Sequence, residues 1–151
     1  MITKSKYMLE AIKEAKKAGD IDEVPIGAVI ANKAGKIIAR AGNLVEKNKD
    51  TCAHAEILAI RAAAKKKKSK FLDNCDIYVT LEPCPMCAHA ISLARIRNLY
   101  FGAYDEKSGG VESGPRVLYS KSAHHKPAIY GGICESECSQ LIKDFFRKKR
   151  N

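Results

Sequence analysis

No apolar run in these 151 residues reaches the ~20 positions that a membrane-spanning helix needs. The first residues also lack the charged-then-apolar order of an export signal, and Met1 to Gly19 reads instead as an amphipathic helix. The expected compartment is therefore the cytoplasm. There is no internal repeat, no linker and no second domain in the pattern, so residues 1–151 read as one domain, long enough to bury a sizeable core. Acidic residues are comparatively few, 17 against 27 lysines and arginines, which leaves a net charge of +10. That balance favours polyanionic partners, and a solvated lysine surface accounts for it equally well. Six cysteines in a reducing compartment argue against a disulfide framework. A metal site plus a few small buried hydrophobes fits them better.

What is present alternates between strand and helix patterns. Met8, Ile12 and Ala15 recur at helical spacing, with lysines and glutamates opposite, and Gly19-Asp20 ends that helix. Residues 25–42 read as an antiparallel hairpin turning at Asn32-Lys33-Ala34-Gly35, and a polar loop then runs to Asp50. A helix is expected from His54 to about Lys65, followed by a lysine run that reads as a solvated helix end. Residues 76–80 form a third strand, 85 to about 95 a helix, and 99–103 a fourth strand. The long loop from Tyr104 to about Lys126 is of a length that usually carries function or lacks order. A short fifth strand at 128–130 precedes a last helix, on which Cys138, Leu141, Ile142, Phe145 and Phe146 share a face. Strands separated by helices imply an α/β fold: three layers, α-β-α, around a mixed five-stranded sheet.

Thr80-Leu81-Glu82-Pro83-Cys84-Pro85-Met86-Cys87 is the stretch with chemistry in it. Pro85 suits the first position of a helix, where its missing N–H costs nothing. Cys84 then stands at the cap and Cys87 one turn in, so both sulfurs can converge on one ion under a helix dipole that favours thiolate. Three protein ligands and one open position make a catalytic zinc site, and His54 is the natural third. His54 and Glu56 lie two apart and would diverge in mid-helix. At a helix start both reach a cavity off the end, which predicts two helix N-termini aimed at one metal. Glu56 is then free to take a proton from water and pass it on. A closed structural site would need a fourth ligand, with Cys52, Cys75, Cys134 and Cys138 as candidates, but it would have no use for Glu56. His89, on the helix after the motif, is not expected to be a ligand.

H-x-E followed by P-C-x-x-C is the signature of zinc nucleobase deaminases. Nearly the whole chain, from about Tyr7 to Arg150, resembles bacterial tRNA-specific adenosine deaminases, which convert wobble adenosine to inosine in an anticodon loop. The matching stretches are Glu23–Ala28, Gly42-Asn43, His54–Glu56, Thr80–Cys87, Phe101–Gly109 and Asp144–Arg147. The resemblance implies a cytidine-deaminase-like fold with one zinc per subunit on His54, Cys84 and Cys87, and Glu56 as proton shuttle. It further implies that Ile26 and Asn43 line the base pocket, that Asp105 and Lys107 approach RNA, and that Phe146 and Arg147 border the anticodon stem-loop. A homodimer whose partner subunit helps to form the RNA surface is implied as well. Two positions depart from the family pattern: Thr51-Cys52 stands where Pro-Thr is usual, and His124-His125-Lys126 where Asn-His-Arg is usual. The zinc motifs are shared with deaminases of free bases such as guanine or cytosine, which is the alternative reading.

Overall fold

The structure is a computed structural model that describes residues 4–150. Five helices and five strands follow in the order α1 (Lys4–Asp20), β1 (Gly27–Ala31), β2 (Ile37–Gly42), α2 (Val45–Asn48), α3 (Ala55–Lys67), β3 (Asp76–Leu81), α4 (Pro85–Leu93), β4 (Asn98–Ala103), β5 (Ala128–Tyr130) and α5 (Glu135–Arg150). The expected start of the first helix at Met1 lies outside the described residues. The polar loop expected from 43 to 50 contains α2, a single turn with too few apolar residues to show a period. It forms because the buried carboxylate of Glu23 accepts the N–H groups of Glu46 and Lys47, at 3.0 and 2.8 Å.

The sheet order is β2-β1-β3-β4-β5. β1 is antiparallel to both β2 and β3, whereas β3, β4 and β5 run parallel. Pro25 has no N–H to give a ladder, and pairing starts two residues later at Gly27. The hairpin turn is closed by Asn32, whose Oδ1 accepts from the N–H of Ala34 and of Lys36, while Gly35 takes the left-handed φ of 85°. All five residues of β1 are buried, as a central strand covered on both faces requires.

On one face α1 lays Tyr7, Met8, Ala11 and Ile12 against Val29, Tyr78 and Tyr100, and Cys138 of α5 joins them. On the other, α3 and α4 pack Ala55, Ala59, Ala63, Ala88 and Ile91 onto Ile30, Ile77, Val79 and Phe101. Parallel register puts Tyr78, Tyr100 and Tyr130 side by side across three strands. Adjacent strands are ~4.8 Å apart, and these rings stack at 4.6 and 4.9 Å, with Tyr7 adding a fourth ring at 4.8 Å. The stack rises from the core to the surface, from Tyr78 at 1% exposure to Tyr130 at 47%. Position in it should therefore decide the cost of removal. Tyr78→Ala is expected to lose about 3–5 kcal/mol of stability by urea unfolding, and Tyr130→Ala less than about 1 kcal/mol.

Candidate active site

Two helix starts meet beyond the carboxyl end of β3. His54 is the N-cap of α3 and Cys84 the N-cap of α4, both with extended backbone, and Pro85 is the first helical residue after Cys84. Neither cap side chain bonds its own helix. The free Ala55 N–H is taken instead by Oδ1 of Asn43 at 2.8 Å, which leaves the imidazole of His54 free to face the cysteines. His54 Nδ1 stands 3.6 Å from Cys84 Sγ and 3.4 Å from Cys87 Sγ, and the three donor atoms all lie within 4.8 Å of one another.

Those distances are a test of fit. Zinc arms of ~2.1 Å to nitrogen and ~2.3 Å to sulfur, at a tetrahedral angle, put the two donors ~3.6 Å apart. One imidazole and two thiolates held at that spacing suit zinc. Among the described residues none of Cys52, Cys75, Cys134 or Cys138 joins the group, so three ligands leave the fourth position open.

The electrostatics of the chain's own groups are uneven. A hydrogen bond from the Cys87 thiol, helped by His54, holds Cys84 down to about 4, so Cys84 is the thiolate. The same contact, together with burial, pushes Cys87 up. His54 is raised by its hydrogen bond to Cys84, against burial and with the aid of the Glu56 charge. Glu56, 4% exposed on the first turn of α3, is raised to about 7, chiefly by burial and then by the Cys84 charge. A carboxyl poised near neutrality can both accept and return a proton.

The expected substrate residues divide between two hollows. Ile26, Asp105, Lys107, Phe146 and Arg147 line one groove of about 1030 Å³, together with Tyr104 and Ile142. Asn43 is 5% exposed and borders a different hollow, but it is tied to the groove through its N–H, which donates to Ile26 O at 3.1 Å. Its oxygen accepts from Ala55, and its amide nitrogen remains as a donor for a ligand. Asp105 likewise spends a carboxylate oxygen on its own turn, accepting Ser108 N–H at 2.9 Å. On α5, Phe145 is half-buried, and Phe146, 43% exposed, is the aromatic that lines the groove. The lysines at 65–68 are exposed, at a helix end as expected.

One organiser carried no expectation from its position. Glu82, 2% exposed, collects hydrogen bonds from Asp105, Val111, Glu112 and Ser113. Burial drives its acidity the wrong way, yet the N–H donors outweigh it and hold the carboxyl below its ordinary range. An acidic residue at the end of an apolar strand, just before a proline, was its only trace in the sequence.

Residues 1–103 match the family described as the cytidine and deoxycytidylate deaminase zinc-binding region. The chain belongs to this family. Its zinc fits the triad of His54, Cys84 and Cys87. A tRNA-specific adenosine deaminase of Agrobacterium fabrum is 49% identical over 150 residues, spanning 99% of this chain and 98% of that protein. Another from Bacillus subtilis is 46% identical over 95% of this chain and 89% of its own. A solved structure from a study of A-to-I editing by tRNA:A34 deaminases superposes with a TM-score of 0.89 at 49% identity, covering 91% of this chain and 99% of that one. The guanine deaminase of Bacillus subtilis, at 36% identity and a TM-score of 0.66, covers 68% of this deaminase and 66% of its own chain. The mixed five-stranded sheet with helices on both faces is thus the cytidine-deaminase-like fold that the chain's pattern implied.

The raised Glu56 makes a signed prediction for protein stripped of metal by a chelator. A carboxyl whose folded pKa lies above its unfolded value of ~4.3 stabilises fully below that value, and its contribution is lost as pH rises towards about 7. The stability of the wild type relative to Glu56→Gln should therefore fall from pH 4.5 to 7.5, as read by urea unfolding. A constant difference over that range would mean that Glu56 ionises normally.

Proposed function

We propose that this deaminase, as a single cytoplasmic domain, converts adenosine to inosine at the wobble position of a tRNA anticodon loop. The observation that carries the reading is the groove, which gathers Ile26 with Asp105, Lys107, Phe146 and Arg147 from two distant parts of the chain. At about 1030 Å³ it sits at the top of the range for small-molecule sites (~300–1000 Å³), which suits a splayed nucleotide with its neighbours better than a lone base. Near-full-length identity to tRNA-specific adenosine deaminases, with α5 inside the aligned span, points the same way. The free-base alternative draws on the guanine deaminase of Bacillus subtilis, 36% identical against the 49% and 46% of the tRNA-specific relatives.

Zinc, when held by His54, Cys84 and Cys87, supplies the Lewis acidity that lowers the pKa of a water to ~7. Glu56 accepts that water's proton at its carboxylate and delivers it to a purine ring nitrogen as oxygen adds to the amino-bearing carbon. Glu56 next takes the proton of the newly added hydroxyl and passes it to the departing amine; the carbonyl forms as the carbon–nitrogen bond breaks, and ammonia leaves. Asn43, with its oxygen committed to Ala55, donates from its amide nitrogen to an acceptor on the base. Lys107 and Arg147 meet phosphates, and Phe146 offers a face to an unstacked base.

A second copy of the chain completes this reading. Leu93 is 63% exposed and Met86 37%, on the face of α4 beside a hollow formed with Ile57 and Ile60 of α3. Large apolar side chains left open together suit an isologous homodimer. Leu93→Glu should shift the sedimentation of the protein towards monomer.

An anticodon stem-loop with wobble adenosine, assayed beside free guanine and cytosine, tests the substrate. Inosine is expected in the RNA from the wild type, and none from Glu56→Ala, which should keep its zinc and its fold. Turnover of a free base without inosine in the RNA would replace this reading with the alternative.

A further inference from the structure

Glu82 joins the strand that leads into Cys84 to a loop that the chain's pattern left without support. Oε1 accepts the N–H of Asp105 at 3.0 Å and the hydroxyl of Ser113 at 2.8 Å. Oε2 accepts the N–H groups of Val111, Glu112 and Ser113 at 3.1, 2.8 and 2.9 Å. One buried carboxylate thus grips the loop at two places eight residues apart. Its own N–H donates to Ala103 O at 2.8 Å, which secures the strand ends beneath it.

The space around this grip is full. A side chain begun at Gly109 would come within 2.6 Å of Glu82 Cδ, and one at Gly110 within 2.5 Å of Pro85 N and 2.9 Å of Cys84 C. Gly110 N–H donates to Pro83 O at 2.8 Å, and Gly109 N–H to Asp105 O at 2.8 Å. The loop backbone therefore lies directly on the Cys84-Pro85 segment, which carries one of the three residues of the metal triad and leads into Cys87. Its other side, Asp105 to Ser108, forms a wall of the groove.

We propose that Glu82 is a positioning residue for the substrate. Its carboxylate sets the distance between the Asp105–Ser108 wall and the metal half-site, and hence how well RNA is captured. The proposal rests on the reading of that wall as RNA-facing. It places the effect of Glu82 in binding, since the carboxylate touches neither the triad nor the reacting atoms. A carboxylate that only stabilised the fold would change the amount of folded enzyme and leave the KM of the folded molecules unaltered.

Glu82→Gln separates the two ends of the grip. The amide oxygen can serve only one set of donors, and the three N–H groups at Oε2 are the larger set. The NH2 then faces the N–H of Asp105, donor against donor, and that end is released. Hydrogen exchange, followed by mass spectrometry on the zinc-loaded protein, should quicken about tenfold across 104–108, and stay unchanged across 55–67 and 85–93. The KM for the anticodon stem-loop should rise about tenfold, with kcat within about threefold and zinc per chain unchanged. Unchanged KM and exchange would overturn the proposal, as would a loss of kcat and zinc together at constant KM. If Glu82→Gln does not fold, Ser113→Ala removes one of the five contacts and should raise KM about threefold at constant zinc; no change in KM would overturn the proposal equally. A wild type that makes no inosine in any stem-loop sinks the adenosine reading alone, and the exchange measurement then decides whether Glu82 holds the wall.

Discussion

Everything around the site depends on two helices beginning at the same point. Each helix start leaves N–H groups unpaired and carries a partial positive charge, so thiolates and carboxylates are stabilised there and side chains leave the helix end without obstruction. α3 uses this to present His54 and Glu56, which would diverge anywhere else on a helix. α4 uses it to present Cys84 and Cys87, with Pro85 absorbing the position that has no N–H to offer. The convergence needs a sheet whose parallel strands end together, and the tyrosine stack across β3, β4 and β5 keeps those strands in register.

Three buried glutamates show how surroundings set the role of one residue type. Glu23 meets the N–H groups of α2 and holds the loop that leads to His54. Glu82 meets four N–H groups and a hydroxyl, so its charge is stabilised although it is buried, and it serves as an anchor. Glu56 has no comparable set of donors; burial dominates, and its carboxyl titrates near neutrality. Two of these carboxylates hold backbone N–H groups, and the third is left free to exchange a proton.

The substrate side is built more lightly than the metal side. Among the described residues of α5, only Cys138 is fully buried, and Phe146 and Arg147 stand open along the groove. Four cations and three anions line that groove, so its own charge is nearly balanced. The net charge of +10 therefore lies mostly outside the groove, on the rest of the chain.

The chain's pattern alone determined the metal triad, the role open to Glu56, and the order and type of nearly every element. These depend on short-range facts: a proline after a cysteine, a histidine two residues before a glutamate, apolar side chains at period 3.6 or 2. What it could not show were partners far apart in the chain that meet only after folding. Nothing near Asn43 in the chain points to Ala55, twelve residues later, whose N–H its oxygen accepts. Glu82 is one acidic residue at a strand end until the loop twenty-three to thirty-one residues on closes over it. α2 has no periodicity, because a buried carboxylate and not an apolar face holds it in place. Hydrogen bonds from a side chain to a distant part of the chain leave no mark in composition or spacing, so the anchoring of the loops was decided by the tertiary structure alone.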